Sequence, residues 1–174
     1  FPSVELEQGS QLPDLQILRP VLFTGTIADI AEDGTRNLVV AQVLLRRVGP
    51  SIAGRDLRFQ TQATRDMGFS IQLPQGVYDI TVLPERSDLP PKFVYSVPVE
   101  VDVQYDIDFA PRDTFTRVKG RVVSTGDNAE TTPQEGIRVR AVDEGNIAVS
   151  TLDQTGPDGF FEVLLPPSYS RIDL

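Results

Sequence analysis

From Phe93 to Phe109 every odd-numbered position is apolar: Phe93, Tyr95, Val97, Val99, Val101, Val103, Tyr105, Ile107 and Phe109. The even positions between them include Ser96, Glu100, Asp102, Gln104, Asp106 and Asp108. A period of two belongs to β-structure, with one buried face and one wet face of an antiparallel sheet. Strands typically run to about 5–6 residues, so the stretch is expected to hold two strands with a turn or bulge near Asp102 to Gln104. Pro98 cannot donate to a ladder and belongs on an edge or at a bulge.

The rest of the chain is punctuated at short intervals. Asp33-Gly34, Gly49-Pro50, Gln75-Gly76, Gly126-Asp127-Asn128 and Pro157-Asp158-Gly159 all read as turns, and no window reads as a helix. Short strands at this spacing predict an all-β sandwich or barrel.

The sequence also matches itself. A shift of 92 residues lays Asp66 through Pro74 on Asp158 through Pro166, so that Phe69, Ile71 and Leu73 meet Phe161, Val163 and Leu165. It lays Ile80 on Ile172 and Val82 on Leu174. Upstream, with a small drift, Phe23-Thr24-Gly25 answers Val118-Lys119-Gly120, and Ala41 through Leu45 answers Ile137 through Ala141. A repeat of about 90 residues is a whole small domain. The expected organisation is tandem antiparallel β-sandwich modules. Residues 1–20 are the tail of a preceding repeat, 21–112 a complete module, and 113–174 a second module incomplete at its C-terminus. Residues 14–18 fall 92 positions before Asp106 through Ala110 and read as the equivalent strand. The chain starts at Phe1 without a methionine, so it is expected to be a mature or trimmed fragment. Completion of the second module by residues beyond Leu174 is favoured over a strand donated by the N-terminus of another copy. The joint at 111–115 carries a proline and no glycine, which predicts a restricted angle between modules.

Composition excludes several chemistries. With no cysteine there is no disulfide, thiolate nucleophile or zinc finger, and with no histidine the commonest general base and transition-metal ligand are missing. A net charge of −9 argues against nucleic acid, which requires a basic footprint. No apolar run is long enough for a transmembrane segment.

The combination of an apolar-x-Gly-x-apolar opening strand, a D-G-F turn, an alternating strand and Leu-Pro resembles the carboxypeptidase regulatory-like family. Its members have a transthyretin-like (prealbumin) sandwich related to collagen-adhesin B-type modules. Gly120, Asp158-Gly159-Phe160-Phe161, Leu165-Pro166 and Tyr169 carry the closer match; Gly25, Asp66, Phe69, Leu73-Pro74 and Tyr78 carry a looser one. The resemblance implies tandem, non-catalytic modules of extracellular, periplasmic or surface-anchored bacterial proteins, including outer-membrane-associated lipoproteins. Such modules act as spacers or binding platforms. Adhesin modules of this kind often hold a lysine–asparagine isopeptide bond. Here Lys119 alternates with Val118 and Gly120 and is expected to face solvent.

Every motif residue also has a structural task. Gly25 and Gly120 sit inside strands, where a neighbouring ring or backbone must approach closely. Asp158-Gly159 supplies a turn with positive φ. No residue is assigned a catalytic, cofactor-binding or metal-binding role. The carboxylates Asp29, Glu32 and Asp33, Asp106 and Asp108, and Asp127 and Glu130 are expected to be solvated turn or wet-face charges. The candidate interaction residues are the arginines Arg46, Arg47, Arg55 and Arg58, which can grip carboxylates or phosphates, and Tyr169 as an exposed ring. Phe93, Tyr95, Tyr105 and Phe109 are assigned inward, with Tyr78 beside core Ile80. The expected function is a structural or assembly module of an extracytoplasmic bacterial protein, with neighbouring repeats or other subunits as partners. The alternative is a carbohydrate- or peptide-binding surface module.

Overall fold

The computed structural model describes residues 19–49, 56–126 and 128–167. Apolar alternation there builds two packed layers of strand. In the first layer, β1 (Pro20–Gly25) and β2 (Ile27–Ile30) run in line, interrupted at Thr26. β2 pairs antiparallel with β3 (Arg36–Leu38). In the second layer β4 (Ala41–Val48) lies between β5 (Arg58–Ala63) and a later strand of the same sheet. The chain then turns at 64–68 and returns to the first layer as β6 (Phe69–Pro74), antiparallel to β1. It crosses again to form β7 (Gly76–Pro84) beside β4, and β8 (Lys92–Val99) beside β7. The four-stranded order is β5-β4-β7-β8, all antiparallel.

Phe23, Ile27, Phe69 and Leu73 from the first layer meet Val43, Leu45, Tyr78, Ile80, Val82 and Val99 from the second, all fully buried in one core. Ile71 is half-buried and packs against it. The buried Tyr78 hydroxyl donates to the carbonyl of Pro74 at 2.6 Å, which satisfies its one polar atom inside the core.

The segment from Phe93 to Phe109 departs from the expected single parity. Tyr78 opposes Val97, but Ile80 opposes Val94, so Asp79 faces two residues of β8. This is a β-bulge, with Ser96 at φ 58° and its N–H donating to Asp79 Oδ1 at 3.1 Å. After the bulge Val97 and Val99 point inward; before it Val94 packs on the core, while Phe93 and Tyr95 turn to the outer face. Tyr95 is 64% exposed. The inward assignment of Phe93 and Tyr95 is therefore corrected by one inserted residue. Val101 is exposed too, because the chain bends at 100–102, earlier than expected. Two further strands follow rather than one. β9 (Val103–Gln104) and β10 (Ile107–Asp108) cross to the first layer and pair parallel with β1 and β2. Ile107 and Phe109 are buried as expected, and Val103 and Tyr105 are half-buried.

A 3-10 turn, Arg112–Thr114, precedes the remaining strands. β11 (Thr116–Arg121) pairs with β16 (Phe160–Leu165), β12 (Val123–Thr125) with β13 (Thr131–Pro133), and β14 (Arg138–Val139) with β15 (Asp153–Gln154). No ladder among the described residues joins strands before the 3-10 turn to strands after it. Three ladders of the later set match the earlier set in partner and register. Gly120 faces Phe161 as Gly25 faces Phe69; Val123 faces Pro133 as Ala28 faces Leu38; Val139 faces Asp153 as Val43 faces Thr61.

The strand glycines have the reason anticipated for them. A Cβ on Gly120 would stand 2.4 Å from the Phe161 ring, and one on Gly25 would stand 1.9 Å from the Tyr105 carbonyl oxygen and 2.9 Å from the Phe69 ring. Gly159 takes φ +76° in its turn. The segment assigned to a preceding repeat lies outside the described residues except for Arg19 and Pro20, as do Ile172 and Leu174.

Replacing Phe69 by Ala is expected to lower the unfolding free energy by about 3–5 kcal/mol in denaturant titration, as large aromatic deletions in cores do. Gly25→Ala should cost more than Gly120→Ala, because its added methyl meets fixed backbone rather than a side chain. Phe161→Leu should recover part of the Gly120→Ala loss; Phe69→Leu should recover none of the Gly25→Ala loss.

Candidate functional site

The outer face of the sheet β5-β4-β7-β8 is built by the side chains that alternate with the core set. Three rows cross it. Arg58, Arg46 and Asp79 form one; Gln60, Leu44, Thr81 and Phe93 form the next; Gln62, Gln42 and Leu83 form the third. Phe93 and Tyr95 lie two residues apart on β8, with ring centroids 6.4 Å apart and planes within 10° of parallel. The Ser96 bulge places both rings on this face.

A cleft of about 630 Å³ opens over the first two rows. Its floor includes Leu44, Thr81 and the two rings; its far wall includes Asp143 and Ile147. Those wall residues belong to a tight turn closed by the Val142–Ala148 bridge, with Asn146 at φ 59° and Asp143 Oδ1 accepting from the Ile147 N–H at 2.8 Å. The sheet β5-β4-β7-β8 and the later 142–148 turn thus form the cleft together. A second depression of about 500 Å³ continues over the third row, lined by Gln42, Gln60, Gln62 and Glu85. Gln62 donates to Glu85 at 2.9 Å.

Of the arginines singled out in the sequence, Arg46 and Arg58 share a face and Arg47 does not. Arg46 and Arg58 stand directly opposite on β4 and β5, on the outer face. Arg46 is held by Asp79 at 2.9 Å, and that carboxylate raises the guanidinium above its ordinary pKa. Arg47, next along β4, turns to the other face and lies over Gly76, donating to the Gln75 carbonyl at 3.4 Å. Arg55 and Tyr169 lie outside the described residues.

A second polar centre sits at the other end of the first layer. Asp29, on β2, is 5% exposed, whereas its sequence context suggested a solvated charge. Its Oδ2 accepts from Arg86 at 2.9 Å and from Arg112 at 3.0 Å. Asp88 accepts from Arg86 at 2.7 Å and forms an ion pair with Arg112 at 2.7 Å. The Arg86 hydrogen bond, reinforced by the charges of Arg86 and Arg112, pulls the Asp88 carboxyl below its ordinary range. Sequence reasoning missed this centre because its members come from β2, the β7–β8 loop and the 3-10 turn. Proximity of that kind leaves no spacing pattern.

Asp106, Asp108 and Asp33 have structural partners, and Asp127 lies outside the described residues. Asp106 Oδ1 accepts from both the N–H and the hydroxyl of Thr26, and Asp108 pairs with Arg36 at 2.6 Å. Asp33 caps its own turn through the Thr35 N–H. Lys119 is exposed and pairs with Glu162 across the ladder at 3.0 Å. No group of three or more acidic residues that could hold a metal ion occurs among the described residues, and no helix there is long and apolar enough to cross a membrane.

No protein-family model, no curated protein and no solved structure matches the chain.

The bulge makes a local prediction about stability. Val94→Ala should cost about 1 kcal/mol or more, because its side chain packs on the core. Tyr95→Ala should stay within about 0.5 kcal/mol of the parent, as exposed substitutions do. The reverse order in equilibrium unfolding would place Tyr95 inside and remove the bulge.

Proposed function

We propose that this chain is a non-catalytic structural or assembly segment of an extracytoplasmic bacterial protein. In this reading it consists of repeated β-sandwich modules of the carboxypeptidase regulatory-like, transthyretin-like type, which hold other components at a set spacing. Neighbouring repeats and other subunits are its partners. The matched registers of the earlier and later ladders support repetition.

The observation that carries the spacer reading is the way the joint is held. Phe115, directly after the 3-10 turn, is buried in the larger core. Arg112, within the turn, is fixed by Asp29 and Asp88. Leu164 of β16 packs against the larger core, and Phe93 of β8 packs against the smaller cluster of Val149, Val163 and Leu165. A joint with an apolar anchor, a charge clamp and packing in both directions resists bending, which is what a spacer requires.

The chain contains no cysteine, so paired labels can be introduced cleanly at Gln62 and Glu135. Electron–electron distance measurements on Gln62→Cys/Glu135→Cys should give one narrow distribution at neutral pH. Arg112→Ala combined with Phe115→Ala should broaden it. A broad distribution in the parent would overturn the spacer reading. The pH response has a defined sign. Asp88 is depressed in the folded state, so its contribution is present above the ordinary carboxylate pKa, about 3.9, and is lost as pH falls through the folded value. The distribution should therefore stay narrow down to about pH 4 and broaden below it, and Asp88→Asn should broaden it already at neutral pH.

A further inference from the structure

We infer that the cleft over the outer face of the β5-β4-β7-β8 sheet is a binding site for a neutral oligosaccharide, with Phe93 and Tyr95 as its platform. The inference is independent of the spacer reading, since a spacer needs no ligand. It rests on three observations. The first is the ring pair, parallel within 10° and turned to the outer face by a bulge at Ser96, with Tyr95 exposed and Phe93 half-buried at the cleft lining. Parity without the bulge would bury both rings. A sugar ring offers a flat patch of C–H groups, and an aromatic face is the complementary apolar surface for it.

The second observation is the polar set beside the rings. A sugar hydroxyl both donates and accepts, so a sugar rim needs both kinds of group within reach. Arg46 and Asp79 form a ready-made donor–acceptor pair at 2.9 Å. Among the described residues, the Gln60 amide and the Arg58 guanidinium in the cleft, and the Gln42 amide in the adjoining depression, have no side-chain partner, and each amide both donates and accepts. The charges lining the cleft balance: Arg46 and Arg58 against Asp79 and Asp143. A balanced lining concentrates neither anions nor cations. That favours a neutral polyhydroxylated ligand over an acidic peptide or a charged polymer.

The third observation is shape. The 143–147 turn walls one side, so the surface is concave, and 630 Å³ lies within the range of small-molecule sites. The middle row, Gln60 to Phe93, spans three inter-strand spacings, about 14 Å, the length of a short oligosaccharide. The depression over Gln42 and Gln62 extends the path.

The test is a nitrogen–proton NMR titration of the full chain with three neutral tetrasaccharides (β-1,4-glucan, β-1,4-mannan and β-1,4-galactan), a tetragalacturonate and a hexaglutamate peptide. At least one neutral tetrasaccharide should shift the amides of β4, β7 and β8 around these side chains. Tyr95→Ala should weaken that binding by about tenfold, and Gln60→Ala should weaken it measurably. Val101→Ala, exposed but outside the cleft, should leave it unchanged. Each amide spectrum also reports whether the variant is folded. Response to the polyuronate or the acidic peptide alone would overturn the inference. So would neutral binding that survives Tyr95→Ala, or the absence of any response.

Discussion

The first layer closes at a residue without a side chain. Gly25 ends β1, and the backbone of the segment between β9 and β10 lies so close that a methyl group there would sit inside the Tyr105 carbonyl. The approach lets the chain's last crossing lie flat along β1 and β2. The backbone bonds Tyr105 N–H to Thr24, Ile107 N–H to Thr26 and Phe109 N–H to Ala28 then form one unbroken parallel register. The Phe69 ring covers the bare glycine from the opposite strand. Asp106 adds to the seam by accepting two bonds from Thr26, where both strand pairs are interrupted. Burial of Ile107 and Phe109, and the position of the joint that follows, depend on that seam.

The same glycine–phenylalanine device recurs at Gly120 and Phe161, where no third strand lies against it among the described residues. Among the described residues the neighbouring cluster there has Val149, Val163 and Leu165 buried. It gains surface from Phe93, which reaches across from β8. Hydrophobic stabilisation scales with area removed from water. On that basis the later strands draw part of their support from the earlier ones, and the joint between them serves as packing as well as connection.

Much of the fold was legible because side-chain period and turn chemistry act locally. Phe69, Leu73, Ile80 and Val82 fell inside as their parity required, and Gly159 took the positive φ its turn needed. The cleft was less legible. Strict alternation assigned Phe93 and Tyr95 to the core, and nothing in the sequence marks Ser96 as the extra residue that reverses them. The one available hint was Pro98, which fits only an edge or a bulge; β8 supplies both. Asp29 was hidden for a different reason. Its burial is compensated by Arg86 and Arg112, which lie 57 and 83 positions away, and single-sequence reasoning has no access to pairings of that range.

β8 is the outermost strand of its sheet among the described residues. An open strand edge ordinarily invites another strand, in ordered assembly or in aggregation. This edge is poorly suited to either. Ser96 kinks it in the left-handed region, Pro98 removes a donor, and Lys92 carries a charge whose ammonium is turned back onto the Asp108 carbonyl. A visiting strand would find the ladder broken in mid-length and would have to match a local twist it does not share. The bulge that turns two aromatic rings to the outer face therefore also guards the margin beside them. An apolar patch on the face of a sheet is tolerable in a crowded solution when the adjoining edge cannot template growth.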